Sequence, residues 1–281
     1  MSWRGQLDLH YRFDGQRTTA LDRHDGPLRV LQRLYPEGEA ICHHVLVHPP
    51  GGVVGGDTLT LNAQLDSGSH ALITTPGATR FYKSAGGIGE QIVRASVADG
   101  ARLEWLPLEA IAYPGCKAIN RMRFDLAPGA SMIGWDFVAL GLPAAKQAFD
   151  DPAWPESHFT QEIDIPGVWL ERGTIGSQDG LLLDSPVGWA GNRVMATLWF
   201  ASGLALERTV SESLLDAART KQLESPLSAT TGSTQPHGQI VVTRVLAPRV
   251  EPAMHLLTAI WGQWRSLAWG VTPCPPRVWR T

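Results

Sequence analysis

Asp57-Thr58-Leu59-Thr60-Leu61-Asn62-Ala63-Gln64-Leu65-Asp66-Ser67-Gly68-Ser69-His70-Ala71-Leu72-Ile73-Thr74-Thr75 holds the fold in miniature. Leu59, Leu61, Ala63 and Leu65 share one face of an extended segment. Thr58, Thr60, Asn62 and Gln64 share the other, which is the two-residue period of a half-buried strand. Asp66-Ser67-Gly68-Ser69 has turn chemistry, and residues 70–75 read as the next strand. The same device returns at Asp99-Gly100-Ala101, before a strand over 102–106, and at Pro128-Gly129-Ala130, before a strand over 131–140. Upstream, residues 28–34 and 40–47 read as strands closed by Tyr35-Pro36-Glu37-Gly38 and by His48-Pro49-Pro50-Gly51-Gly52. Strands recurring at roughly 10–15-residue spacing describe a sandwich, a barrel or a β-solenoid. No crossover helices separate them, which argues against a doubly wound α/β fold. No strict short repeat is visible, which argues against a β-helix with identical rungs.

Two late segments read as helices. In residues 204–222, Val210, Leu214, Ala217 and Ala218 recur at helical spacing. In residues 251–268, Pro252 suits a first turn, and Leu256, Leu257, Ile260, Trp261, Trp264 and Leu267 make an apolar stripe. Between them, residues 225–236 are rich in Ser, Thr, Gly and Pro and read as a loop, and residues 238–246 as a strand. The Pro-rich tail from Pro273 reads as extended and non-helical. No linker divides the chain, so residues 1–281 read as one mainly β domain. Its β-rich core covers about 1–200 and 237–250, with the helices as a side layer.

Composition narrows the function classes. The chain has 281 residues, 24 Lys plus Arg against 27 Asp plus Glu, and a net charge of −3. That balance gives no footprint for nucleic acid or an anionic membrane. No apolar run is long enough to span a bilayer, and the N-terminus has no signal-peptide core. Cys42, Cys116 and Cys274 form no CxxC pair, and an odd count suits a reducing compartment. The expected location is the cytoplasm. Charged residues are only 18%, and Trp numbers eleven. Together these point to a surface built to be covered by partners.

Few constellations offer chemistry. Gly51-Gly52-Val53-Val54-Gly55-Gly56-Asp57 lacks the Gly-Lys-Ser/Thr ending of a phosphate loop and opens a strand, not a helix. Its glycines read as a tight backbone crossing. Cys42-His43-His44 is the most tempting metal cluster; on a strand Cys42 and His44 share a face and His43 points away. Two ligands fall short of a zinc site, and half-buried strand residues are the simpler reading. Glu104 and Glu109 flank Trp105, but Pro107 breaks their register, so no carboxylate dyad follows. No GxSxG elbow or HExxH pair is present, and no enzyme class is visible. The run from Thr74 to Ser84 reads as strand, Pro-Gly turn and strand, a surface turn or an interface.

Taken in order, these runs resemble the urease accessory protein UreD family, called UreH in some organisms. The resemblance rests on His48-Pro49-Pro50-Gly51-Gly52-Val53-Val54-Gly55-Gly56-Asp57, on Ile73 to Ser84 with Thr75, Pro76, Arg80 and Lys83, and on Leu103-Glu104-Trp105-Leu106-Pro107. Gly134-Trp135-Asp136, Leu140-Gly141, Ser185-Pro186-Val187-Gly188, Trp264-Arg265 and Pro276 to Thr281 continue it. The chain departs from the family pattern at Leu108, where Gln is usual, and at Leu142, where Arg is usual. Cys42-His43-His44 lies outside the motifs.

The resemblance implies a β-helix-like body with a small two-helix element. It implies a non-catalytic maturation factor that joins UreF and the GTPase UreG, contacts apo-urease and helps deliver nickel and carbon dioxide. No tightly bound cofactor is implied; nickel would be bound transiently. A conduit for nickel needs a few loosely binding oxygen ligands, and Asp57, Glu109 and Asp136, in or beside the motifs, are the candidates for lining it. A binding scaffold without ion passage, or an uncharacterised β-sandwich hydrolase, are the alternatives.

Overall fold

The strand–turn–strand unit over residues 57–75 is part of one coil of a solenoid. The structure, a computed structural model, describes residues 3–280. In chain order the first strands are β1 (Arg4–Phe13), β2 (Thr18–Asp25), β3 (Arg29–Leu34), β4 (Ile41–Val47), β5 (Thr58–Leu65), β6 (His70–Thr74) and β7 (Thr79–Phe81). There follow β8 (Gly89–Val97), β9 (Arg102–Trp105), β10 (Ala110–Ala112), β11 (Lys117–Leu126), β12 (Ser131–Leu142), β13 (Gln147–Ala148), β14 (His158–Ile165) and β15 (Trp169–Gly176). The last elements are α1 (Gly180–Asp184), β16 (Val194–Ser202), α2 (Arg208–Leu223), β17 (Thr231–His237), β18 (Ile240–Ala247) and α3 (Val250–Trp269).

β5, β8, β11 and β14 stack in parallel in one sheet, extended by β1 and β2 at one end and by β15 at the other. β4, β6, β9 and β12 stack in parallel in a second sheet, extended by β3 on one side and by β16, β18 and β17 on the other. The chain winds between the two sheets. Each coil of the second sheet advances 29, 32 and then 29 residues, from Ile41 to His70 to Arg102 to Ser131. On the first sheet the advances are 32, 29 and 41 residues, from Thr58 to Glu90 to Ile119 to Thr160. Coils of unequal length are why no short repeat shows in the sequence. The turn glycines mark the shared corner: Gly68, Gly100 and Gly129 hold φ of +74°, +70° and +82°, a region L side chains rarely adopt. A Cβ on Gly129 would also stand 1.9 Å from Asp99 Oδ1 of the coil beneath.

The two sheets differ in what covers them, and their sequences differ accordingly. The first sheet faces solvent on one side, so β5 and β11 alternate between buried and partly exposed positions. The second is covered on both faces, by the solenoid interior and by α2 and α3, so β4, β6 and β12 are buried almost without interruption. Two apolar clusters result. One fills the solenoid around Leu61, Val93, Leu103, Met122 and Phe124. The other lies under the helices, where Leu257, Ile260, Trp261 and Trp264 of α3 meet Leu72, Ile133 and Trp135. α3 starts with Pro252 in its first turn and stops at Gly270, whose left-handed backbone caps it.

Several expectations change. The polar stretch 225–236 contains most of β17, an edge strand on which Gly232 and Pro236 are tolerated because one side pairs with no strand among the described residues. The tail is extended to residue 276 and then closes in a single 3-10 turn, Arg277–Arg280. The tryptophans do not form a partner-covered surface: all but Trp3 are buried or half-buried. Their area is spent inside, divided between the solenoid interior and the layer under α3. Among the described residues no helix is long and apolar enough to cross a membrane.

Candidate functional site

Within the solenoid one row of inward-facing positions is polar. Parallel register places Leu59, Gln91, Asn120 and Gln161 side by side on β5, β8, β11 and β14. The Gln91 amide donates to Asn120 Oδ1 at 3.1 Å, and Asn120 Nδ2 donates towards Gln161 Oε1 at 3.4 Å. From the opposite sheet Asp136 of β12 meets this row, accepting from Gln161 Nε2 at 2.6 Å and from Asn120 Nδ2 at 3.3 Å. Buried polar groups persist when they satisfy one another, and each amide here hands a hydrogen bond to the next.

Asp136 is 6% exposed, and among the described residues no Lys or Arg forms an ion pair with it. Burial pushes its carboxyl up to about 7; the Gln161 bond works against this and the nearby Glu171 charge adds to it. A carboxylate in an interior needs a proton or a cation, and the neutral amides supply neither charge. That combination of oxygens, one ionisable and the rest amide carbonyls, can take a hard or borderline cation weakly.

Gln91 also lines a cavity of about 270 Å3. Leu28, Leu46, Leu59, Leu61 and Val93 make its apolar walls, and His48, Gly51, Gly52 and the Thr75–Arg80 turn stand at its rim. Trp105 and Pro107 contribute from a third segment, so three of the sequence motifs converge on one cavity. Trp105 is 4% exposed, yet its Nε1 has no partner. Trp199 Nε1 and Arg244 Nε are the other buried donors without one among the described residues. A buried unpaired donor costs about 1–3 kcal/mol, so Trp105, which shares the cavity with Gln91, marks an interior suited to water or a polar cargo.

The remaining expected residues are distributed as follows. Asp57 is buried at the start of β5, and its carboxylate accepts from the backbone N–H groups of Trp3 at 2.8 Å and Val54 at 3.1 Å. It caps the glycine turn. Glu109 is half-buried in the loop before β10; burial raises its pKa, and it lies within the fields of Glu251 and Arg80. Asp57, Glu109 and Asp136 are not gathered, and among the described residues no three His, Cys, Asp or Glu side chains could hold a metal ion together. Gly51 and Gly56 have positive φ. A Cβ on Gly52 would strike the Tyr82 ring, and one on Gly55 the Ser84 hydroxyl and Gly87 carbonyl, which is the close backbone approach expected of the run. Thr75 Oγ1 accepts from Leu108 N–H, ahead of which Pro76 turns the chain. Arg80 is exposed beside Tyr82, and Lys83 sits 3.6 Å over the Trp154 ring. Trp135 points away from the cavity, donating to Pro107 O at 2.7 Å under the helix layer.

Cys42, His43 and His44 are fully buried rather than half-buried. Arg33 donates to His44 Nε2, so the ring proton sits on Nδ1 and meets the Tyr11 hydroxyl at 2.8 Å. Burial, with Arg33, pushes His44 down to about 4, and both its nitrogens are taken by protein. His43 is bonded to Glu37 at 2.6 Å on the opposite face.

One group had no sequence signal beyond its motifs. Arg265 of α3 and Glu104 of β9 are both completely buried and bond at 3.1 Å. Arg265 also donates to Glu37 Oε1 at 2.8 Å and Thr272 O at 2.7 Å. Glu104 further accepts from Trp261 Nε1 at 2.7 Å and bonds His70 at 2.7 Å. The cluster fastens α3 and the turn carrying Glu37 to the second sheet. Gln91, Asn120, Gln161, Glu171 and Arg244 were likewise invisible as site residues, because an isolated amide or ion-pair partner in a strand carries no pattern.

Comparison with known proteins agrees over nearly the whole length. Residues 4–280 match the family model described as UreD urease accessory protein. A protein of Leptothrix cholodnii named urease accessory protein UreD is 60% identical over 283 residues, covering 100% of both chains. Proteins of the same name from Paracidovorax citrulli and Variovorax paradoxus are 55% and 54% identical, covering 99% and 100% of both chains.

Proposed function

The chain belongs to the UreD urease accessory protein family, and we propose that it is a non-catalytic scaffold for urease maturation in the cytoplasm. In this reading it binds UreF and UreG, docks on apo-urease and helps deliver nickel through the solenoid interior. The name of its relatives, accessory proteins, supports a role without catalysis of its own. Nickel is cargo here, not a resident cofactor.

The observation that carries the passage is the row Gln91, Asn120, Gln161 and Asp136, reached from the cavity under the motif loops. Conduction requires binding that is favourable enough to admit an ion and weak enough to release it. A cluster of thiolates or imidazoles would trap nickel; one carboxylate among amide oxygens would not. Asp57 and Glu109 do not line the cavity; they stand in sequence beside its motif segments and are the outer carboxylates of the proposed route.

The test is urease activation in a urease-expressing host, with co-purification of UreF and UreG as the assembly control. Asp136→Ala is expected to assemble normally and to lose most activation. Asp57→Ala and Glu109→Ala should assemble and lose less. A triple variant that assembles and activates fully would refute the passage and leave a scaffold that only binds.

A further inference from the structure

The polar row ends in an ion pair that a passage alone does not require. Arg244 of β18 and Glu171 of β15 lie on opposite sheets and are 73 residues apart, yet they pair across the interior. β15 is the edge strand of one sheet, and β18 is next to the edge of the other. Their side chains are 41% and 21% exposed, whereas Asp136, Gln161 and Thr197 behind them are buried. The pair therefore stands at the C-terminal end of the solenoid, with the Asp136 row behind it. Register runs Asp136, Thr197, Arg244 across β12, β16 and β18.

Arg244 is held differently from Arg265. Arg265 donates from Nε and both terminal nitrogens to two carboxylates and a carbonyl. Arg244 makes its bond to Glu171 through one terminal nitrogen, and its Nε is buried without a partner. A guanidinium anchored at one nitrogen and partly in water gives up little when it moves. A positive charge held over a buried carboxylate row is also a barrier to cations, the device by which pores exclude them.

We propose that Arg244 is the cation gate at this end of the solenoid: its positive charge, positioned by Glu171, closes the interior to cations, and it must swing aside for one to pass. This rests on the passage reading above. Glu171 positions the guanidinium, and the positive charge of Arg244 is what selects.

The test is reagent access to a cysteine placed between gate and row. Thr197→Cys is made in the full-length chain, alone and with Arg244→Gln or Glu171→Gln. Modification of the residue-197 peptide is followed by mass spectrometry with a cationic reagent, 2-aminoethyl methanethiosulfonate, and a neutral one, methyl methanethiosulfonate. Removing one charge a few ångströms from the path should speed the cationic reagent about tenfold in the Arg244→Gln background. The neutral reagent should change by less than about twofold, and Glu171→Gln should not speed the cationic one selectively, because it leaves the positive charge in place. Equal acceleration of both reagents by both substitutions would make the pair a staple and overturn the gate. Labelling at the same rate ratio in every background overturns the gate and leaves the passage standing. No labelling in any background overturns both.

Discussion

Arg265→Met tests whether α3 is held by the buried charge cluster. The substitution keeps most of the side-chain volume and removes the donors that reach Glu104, Glu37 and Thr272. Two carboxylates, one fully buried and one nearly so, then lose their guanidinium. Removing one partner of a buried pair costs about 3–5 kcal/mol, because the other charge stays desolvated. Here the lower end applies: His43 and His70 remain hydrogen-bonded to Glu37 and Glu104. A loss of about 3 kcal/mol corresponds to a Tm drop of about 6–12 °C for a chain of this size. The assay is thermal unfolding of the full-length protein, with urea midpoints as a second measure. Arg208→Met, which removes a solvent-exposed pair with Glu212, is the control and should leave both unchanged. Adding Glu104→Gln to Arg265→Met should recover part of the loss, since the amide can still accept from Trp261 without an uncompensated charge. An Arg265→Met protein within about 1 kcal/mol of the parent would refute the assignment of the cluster as the fastening of α3.

The same cluster sets an acid limb. Burial would raise Glu37 and Glu104, but the His43, His70 and Arg265 contacts outweigh it and hold both below 4.5. The unfolded chain then takes up protons first, so this stability is complete above pH 4.5 and is lost as pH falls through the folded values. Tm should drop steeply below that pH, and less steeply in Arg265→Met; parallel curves would sink the argument. Asp136 has the opposite sign. Its pKa is raised from 3.8 to about 7, so the folded state keeps the proton longer and stability declines between those values as pH rises. Asp136→Asn should match the parent near pH 4 and exceed it at pH 8 by up to about 4 kcal/mol, read as a gain in Tm; equal Tm at pH 8 would refute the burial argument. A Cβ at Gly134 would lie 2.3 Å from the Trp199 ring. Gly134→Ala should therefore lower Tm by forcing that ring or its strand to move, and an unchanged Tm would show that the ring has room to shift.

Much of this was written locally. The alternation in β5 and the apolar continuity of β6 distinguish a strand with one wet face from a strand covered twice, and α2 and α3 lie within a few residues of where their periodicity puts them. The motif glycines are at crossings that a Cβ would block. β17 escaped because an edge strand need not look like one, and the tryptophan count misled because it carries no information on which side of a sheet a ring falls.

The sequence by itself determined where strands and turns lie, which face of each strand is apolar and which family the motifs resemble. Those are local properties, fixed by side-chain period and turn chemistry within a few residues. Strand periodicity left parallel coils and a sandwich open; the family resemblance implied a β-helix-like body, and the tertiary structure shows the parallel stacking. A two-residue period names a face but not the neighbouring strand. Parallel stacking in turn brought Gln161 to Asp136, 25 residues apart, and Arg265 to Glu104, 161 residues apart. Such pairs are made by chain closure over long distances, and nothing in either residue's own neighbourhood announces the partner.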